Sequence, residues 1–582
     1  MPPPLPWTEL ARGLDEHRAN EFLDNMKKFH IVKSQSSKCS VCGDLEPHNM
    51  NYQLTTCASE TCKASQEECP WRGNFLTCSV SGLKNCYSLH SHIESCMSPR
   101  RNGLNFQQKD FCRQMAASGH RPMRILVNMT TQFSTGDSPS LRSVQNFCNN
   151  YLRSKCDNHD YYFEIAEKIQ RQCFTGLEGD FSPFTFGWDF DVHGKLVVGD
   201  GSNQQPFLVG ITTKTMLRRM DRPPSSFIFH MDATYKLNQV NFPILVMGIS
   251  DSCRSFHLVA IFVVSQVTEE MHSKALASLR RVYSAVTQKG MVVQYVLGDA
   301  DYAQYNACKV VFEDCKFTYI MCFFHVMVKV QERTKGLPGY LAVSVLETIY
   351  DMHFASSAST FQHLKQKSSY LWRQNPLLVP FAQYFEAVWL ESSFSAWQCY
   401  LTPPGYATTN NPVEQFNRVL KRDYTLRQRL KMGTLLRELE KCCVHESTKP
   451  QIFRDQPEPS KSIQRRAKQL AKDGVLVLGN LAMDQMDPNV LAGFSLRVHS
   501  ACAPRIWIPS RKRTEEYLAT TAQMGVNYAR MECAGQPYAG WYVNIQLQHC
   551  QCKYWWKFGS CIHLVYAFMV TNRLDSQGKR VL

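Results

Sequence analysis

The feature that most constrains this chain is the order of apolar runs and amphipathic stretches between Ser226 and Phe323. Phe227 to Asn238, Phe242 to Ile249 and Phe256 to Val264 read as three strands, joined by short polar turns at 238–241 and 250–253. The unbroken apolar run of the third is what burial on both faces of a sheet demands. Thr268 then caps a helix whose first turn carries Glu269 and Glu270, where the helix dipole favours acids; the helix runs to about Val286. A fourth strand follows at Val292 to Leu297, a helix at Ala303 to Phe312, and a fifth strand at Phe317 to Phe323. The periodicity predicts an α/β fold built on a mixed five-stranded sheet with helices. Leu341–Phe354, Ser359–Leu371 and Leu377–Trp389 place apolar residues three and four apart, which predicts an all-α insertion over about 326–400.

This strand and helix order is that of an RNase H-like core. Three acids fall at its strategic places. Asp232 lies in the first strand, Asp299 ends the fourth, and Glu414 sits in the later segment 410–421, Asn-Asn-Pro-Val-Glu-Gln-Phe-Asn-Arg-Val-Leu-Lys. In-line displacement at a phosphodiester needs an activated water or 3′-hydroxyl and charge relief at the leaving oxygen. Two divalent cations roughly 3.5–4 Å apart supply both. Mg²⁺ or Mn²⁺ takes hard oxygen ligands, so a few carboxylates suffice. Each acid also has a bland reading. An aspartate after a strand is commonly a turn cap, and Glu414 with Arg418 is spaced as an i,i+4 ion pair. Asp301 competes with Asp299; the strand end and Gly298 favour Asp299.

The text around these acids resembles the catalytic domain of Mutator-like element (MULE) transposases. The matching pieces are 231–236 (Met-Asp-Ala-Thr-Tyr-Lys), 298–307 (Gly-Asp-Ala-Asp-Tyr-Ala-Gln-Tyr-Asn-Ala), 321–325 (Met-Cys-Phe-Phe-His) and 409–418 (Thr-Asn-Asn-Pro-Val-Glu-Gln-Phe-Asn-Arg). The resemblance implies a catalytic triad of Asp232, Asp299 and Glu414. It also implies a Cys-x2-His signature at Cys322 and His325, associated with the site without an assigned chemical role. Its implied partners are double-stranded DNA, as element ends and target, and further copies of the chain on that DNA. Its implied cofactor is Mg²⁺ or Mn²⁺ at the triad. Positions 414, 418, 421 and 422 share one helical face, so Arg418, Lys421 and Arg422 are expected to contact DNA phosphates. The solvated-face reading competes. A relative domesticated as a DNA-binding transcriptional regulator is the alternative function.

The chain has 24 cysteines. Met1 to Glu9 lacks the pattern of a secretory leader, and no apolar run reaches bilayer-spanning length, so an intracellular, reducing setting and no membrane partner are expected. There, closely spaced cysteines suggest zinc before disulfides. Residues 37–98 are dense in them. Cys57-x4-Cys62 with His90-x-His92 resembles, with a longer interval, the layout of WRKY and FLYWCH zinc-binding DNA readers. Cys39-x2-Cys42, Cys69, Cys78, Cys86 and Cys96 remain as further candidates. Near the C-terminus, Cys550-x-Cys552-x8-Cys561-x-His563 resembles a SWIM-type zinc finger, whose four ligands would close a structural site. The expected organisation is a polar lead-in with one short helix at about Leu14–Phe29 (1–36), the zinc module (37–98) and a basic mixed connector (99–225). The catalytic domain (226–447), a second connector (448–535) and the finger (536–572) follow. A net charge of +15 and a pI near 8.9 suit a polyanionic partner. Residence in the nucleus is inferred from that substrate, with Arg511-Lys-Arg513 as weak support.

Overall fold

The computed structural model describes residues 5–43, 46–65, 67–94, 104–133, 139–190, 196–479, 495–501, 506–508, 513–515 and 531–571. It divides into two compact units, Met1–Asn158 and His159–Leu582. The division falls inside the stretch expected to be one connector.

The first unit begins with β1 (Thr8–Leu14), α1 (Glu16–Asp24) and β2 (Phe29–Lys38). Then come β3 (Asn49–Cys57), the single turn α2 (Glu60–Lys63), β4 (Arg72–Cys78) and β5 (Lys84–Leu89). All five strands form one antiparallel sheet in the order β1-β5-β4-β3-β2. The expected lead-in is therefore largely sheet, and its helix is shorter than Leu14–Phe29. The reason is that β2 is polar and exposed along nearly its whole length. It shows no alternation to read; backbone pairing with β3 holds it, and Phe29 at its start packs on Trp71 and Phe75. Its fully buried apolar core is small: Trp71, Phe75 and Cys86. A separate helical cluster follows. It comprises α3 (Phe106–Ala117), closed by an Asn105–Gln108 capping box, then α4 (Pro122–Gln132) and α5 (Leu141–Lys155), packed around Ile125, Met129 and Val144. Lys109, Arg113, Arg121 and Arg124 of the basic stretch fall on α3 and at the start of α4, whereas Arg100 and Arg101 lie outside the described residues.

The second unit opens with α6 (Tyr162–Arg171), β6 (Phe184–Phe186), a small hairpin β7 (Asp189–Phe190) and β8 (Leu196–Val197), β9 (Leu208–Thr212) and α7 (Lys214–Arg218). The predicted meander follows as β10 (Ile228–Thr234), β11 (Ile244–Ser250) and β12 (Phe256–Val264), then α8 (Glu269–Thr287), β13 (Tyr295–Gly298), α9 (Tyr302–Val311) and β14 (Thr318–Met321). The sheet has seven strands rather than five, in the order β14-β13-β10-β11-β12-β9-β6. The two additions, β9 and β6, are too short for a periodic signal but extend the β12 edge by antiparallel pairing. The β14, β13 and β10 strands run parallel; from β10 to β6 every pairing is antiparallel. Every residue of β12 but its first is buried, as its apolar run predicts, and every residue of β11 is buried as well.

One sheet face packs on α8 and on the inserted helices α10 (Phe323–Thr334), α11 (Gly339–His353), α12 (Ala358–Gln374) and α13 (Val379–Phe385), with Trp389 and Trp397 fully buried among them. The other face packs on α6, α14 (Asn411–Val419) and α15 (Met432–Thr448). The C-terminal part gathers α16 (Lys461–Lys472), β15 (Leu476–Leu478) and β16 (Ser495–Ser500), then β19 (Trp541–Asn544) and β20 (His549–Cys550), after a hairpin β17 (Ile506–Ile508) and β18 (Arg513–Glu515). With α17 (Lys553–Phe558) and α18 (Ile562–Val570) they share one core, so much of the expected second connector belongs to the finger's own module. Arg511 and Lys512 lie outside the described residues. Among the described residues no helix is long and apolar enough to cross a membrane.

Candidate active site and metal-binding groups

On β10, Phe229 and Met231 enter the core beneath the inserted helices. Alternation sends His230 and Asp232 to the opposite face, where α14 crosses. Asp299 directly follows Gly298, the last residue of β13. β13 is the parallel neighbour of β10 with Leu297 opposite His230, so the two aspartates emerge at the same end of adjacent strands. Such strand ends are where open α/β sheets bind ligands. Glu414 lies in the first turn of α14, whose Val413, Phe416 and Leu420 anchor it on the sheet. Asn417, one turn on, donates from Nδ2 to Asp232 Oδ2 at 2.7 Å. Burial, then the charges of Asp299 and Glu414, push the Asp232 carboxyl up to about 7. Asp232 thus senses both other acids.

They do not converge into one tight cage. At this end of the sheet, the described residues whose ligand atoms all lie within 4.8 Å of one another are Asp299, Cys322 and His325. His325 Nδ1 lies 2.8 Å from Asp299 Oδ1, an ion-pair distance without hydrogen-bond alignment. The Asp299 carboxylate, and then the Cys322 thiol, raise the His325 imidazole to about 11, so it is held as a cation.

A polar lattice fixes these positions. Gln304 donates to the Met231 carbonyl at 2.7 Å, and Tyr319 donates to the Asp299 carbonyl at 2.9 Å and to Gln304 Oε1 at 3.3 Å. Gly298 is required by this packing, since a Cβ there would stand 2.3 Å from Tyr319 Oη. Asn410 is the hub: its N–H donates to Cys322 Sγ at 3.2 Å, its Oδ1 meets His230 Nδ1 at 3.1 Å, and its Nδ2 lies 3.5 Å from Asp299 Oδ1. Burial lowers His230 to about 4, so the ring is neutral; Nδ1 donates to Asn410 and Nε2 accepts from Ser250 Oγ at 2.7 Å. Asn410, Asn417, His230 and Gln304 were not singled out from sequence. Asn417, three residues after Glu414, was the most findable, because that spacing puts both on one helix face.

Asp301 is accounted for otherwise. It caps α9, accepting from the Ala303 N–H at 2.8 Å. On α14, Arg418 approaches Glu414 at 3.9 Å. After Val419, residues 420–424 widen into a π-helical turn closed by Thr425 N–H on the Leu420 carbonyl. Lys421 and Arg422 lie in that turn, and Arg422 pairs with Asp423 at 2.6 Å.

Three Cys/His groups have metal-ligand composition outside this site. Cys550, Cys552, Cys561 and His563 are all buried and gathered, as the spacing implied. Their arrangement is knit by N–H donation from Trp555 to Cys552 Sγ and from Leu564 to Cys561 Sγ, both 3.4 Å. In the first unit, Cys57, Cys62, Cys69 and His92 gather. His90 does not; it is exposed at φ +60°, just past β5, and Cys69 takes the fourth place. Both histidines lie past the end of β5 and His90 takes a left-handed φ, so strand alternation does not carry the two rings to one side, while Cys69 arrives on the approach to β4. The remaining group is Cys39, Cys42, His48 and Cys78.

Compared with protein families, residues 228–329 match the family described as MULE transposase domain. The match spans β10 through α10, including Asp232, Asp299, Cys322 and His325, and stops short of Glu414. No curated protein matches the chain.

Proposed function

We propose that this protein is a metal-dependent DNA transposase of the MULE type, with an RNase H-like core, whose Asp232, Asp299 and Glu414 form the catalytic triad. The observation that carries it is the pair of aspartates at the same end of adjacent parallel strands, faced by Glu414 from α14, whose charge together with that of Asp299 raises the Asp232 carboxyl. Hard carboxylate oxygen donors of this kind suit Mg²⁺ or Mn²⁺. When bound, such ions supply an activated water or 3′-hydroxyl and charge relief at the leaving oxygen. The chain's own residues do the rest. Asn417 holds one oxygen of Asp232 and so sets its orientation. Asn410 and Tyr319 hold the Asp299 segment. His325, kept cationic, offers a positive charge at the edge of the site, where a phosphate oxygen is attracted. Arg418 belongs to the same face of α14 and is assigned to phosphate contact, with Lys421 and Arg422 beside it. The C-terminal group is assigned to a SWIM-type zinc finger, and the Cys57, Cys62, Cys69, His92 group to a zinc site in a DNA-reading module. Element ends and target DNA are the substrates, the nucleus the expected location, and joining two ends implies a multimer.

The test is strand cleavage on duplex carrying the DNA that flanks this gene, with Mg²⁺ or Mn²⁺, comparing wild type with Asp299→Asn. Cleavage at a defined end, abolished by the substitution, is the expected result. Tight binding without cleavage in either protein replaces the transposase with a domesticated DNA-binding regulator.

A further inference from the structure

The Cys39-x2-Cys42 pair belongs to neither zinc site assigned above. We infer that Cys39, Cys42, His48 and Cys78 bind a second structural zinc ion in the first unit, at the opposite end of the sheet from Cys57, Cys62, Cys69 and His92.

The distances are those of a tetrahedral shell. Cys42 Sγ lies 3.7 Å from Cys39 Sγ and 3.6 Å from Cys78 Sγ. A disulfide would bring two sulfurs to about 2.05 Å. Thiolates at about 2.3 Å from one zinc stand roughly 3.8 Å apart along the edge of a tetrahedron. His48 Nε2 completes the set, 3.0 Å from Cys42 Sγ and 3.2 Å from Cys78 Sγ. Its other nitrogen, Nδ1, is 2.8 Å from the Glu46 carbonyl. That contact makes Nδ1 the protonated nitrogen and leaves the Nε2 lone pair for a metal, the usual arrangement of a ligating histidine. Backbone donors serve the sulfur as they do in metal-thiolate turns: the N–H groups of Val80 and Ser81 point at Cys78 Sγ from 3.4 and 3.3 Å. Cys39 N–H closes the loop on the His48 carbonyl at 2.9 Å. Three soft sulfurs with one imidazole, and no open ligand position, select zinc in a structural role.

The topology says what the ion does. β3 starts at Asn49, next to His48, and ends at Cys57; β4 starts three residues after Cys69 and ends at Cys78. Their ladder pairs Met50 with Cys78 at one end and Thr56 with Arg72 at the other. The two ligand groups therefore grip opposite ends of the same two central strands, about 20 Å apart at about 3.3 Å per residue. A sheet whose buried apolar core is three side chains needs such staples.

The experiment uses the full chain purified without chelators. Zinc content is measured alongside the rate at which each cysteine is alkylated by iodoacetamide under native conditions. Wild type is expected to hold three zinc ions, with half-buried Cys39 and Cys42 protected until zinc is displaced. Cys42→Ser is expected to lose one ion and expose Cys39, while Cys57, Cys62 and Cys69 stay protected. Cys62→Ser is expected to lose a different ion and leave Cys39 and Cys42 protected. The inference is overturned if wild-type Cys39 and Cys42 react at the rate of a denatured chain while Cys57 and Cys62 remain protected. An unchanged zinc content in folded Cys42→Ser overturns it as well. If Cys42→Ser fails to fold, the wild-type alkylation pattern alone decides. Loss of protection only at Cys550, Cys552 and Cys561 speaks against the finger and leaves this site standing.

Discussion

The two largest sheets among the described residues are held together by different means. In the seven-stranded sheet, β11 is buried at every residue and β12 at all but its first. Apolar side chains cover both faces, and burial at roughly 25 cal/mol per Å² is its main cohesion. In the five-stranded sheet, β2 is exposed along nearly its whole length and three side chains make the buried core. There, cysteine and histidine clusters stand at both ends of the central strands. A sheet with a large core can place carboxylates at its strand ends and bear the charge cost. A sheet without one uses its strand ends for ligands that hold it together.

Metal removal breaks this comparison most severely. Structural zinc contributes on the order of 10–16 kcal/mol in small zinc-folded peptides. Stripping zinc from the full chain is expected to abolish amide-exchange protection in β3 and β4 while β10, β11 and β12 keep theirs. Equal loss in both sheets would mean that their cohesion does not differ in kind.

Next in size is Gly298→Val. The new side chain meets Tyr319 Oη and Gln304 Oε1, and overpacking costs roughly 1–3 kcal/mol. Melting temperature and divalent-ion binding at the triad are both expected to fall, because Gln304 also holds the Met231 carbonyl beside Asp232. Gly43→Ala is the control in the first unit. A Cβ there meets nothing within 4 Å, so stability should stay within about 0.5 kcal/mol.

Asn417→Ala removes a hydrogen bond to a carboxylate, an interaction of about 1.5–3 kcal/mol. Its pH signature is specific. The folded Asp232 carboxyl titrates at about 7. The unfolded chain titrates near 3.9. The folded state therefore holds this proton more tightly. Its contribution to stability is complete below about pH 4 and is lost as pH rises through 7. Denaturant midpoints measured without added Mg²⁺ should show that decline, Asp232→Asn should flatten it, and Mg²⁺ should reverse it on the alkaline side. Mg²⁺ affinity itself should weaken as pH falls below about 7, more steeply in Asn417→Ala. A pH-independent affinity would remove Asp232 from the ligand set.

The smallest effect separates Asp299 from its neighbour. Asp301→Ala deletes a helix cap worth about 1 kcal/mol and should leave cleavage intact. Loss of cleavage with unchanged stability would move the catalytic assignment to Asp301.

The core of the seven-stranded sheet was legible because its information is local. Strand and helix order from Phe227 to Phe323 follows from period-two and period-3.6 patterns, and the apolar run of β12 announced burial on both faces. β9 and β6 escaped because five and three residues carry too little pattern. β2 escaped because pairing of its backbone, not its side chains, makes it a strand. Around the acids, Asp299 was readable from its place at a strand end and Asp232 from its place in the first strand, while the resemblance tied Glu414 to them. Asn410 was not, since its role arises only where 410, 322, 230 and 299 meet from four separate segments.

The sequence by itself determined the element order of the core, the positions of its three acids and the presence of closely spaced cysteines and histidines, of metal-ligand type, toward both ends of the chain. Tertiary structure alone decided which cysteines and histidines share a shell. His90 lies outside, Cys69 and His48 lie inside, and Cys78 joins a pair more than thirty residues before it. It also decided that α14 runs into a π turn and that α16, β15 and β16 belong with the C-terminal module. The reason is physical. Periodicity is set by the backbone geometry of one segment and survives in the one-dimensional text. A ligand shell or a shared core is set by which side chains from different segments arrive at one point, and spacing along the chain does not carry that distance.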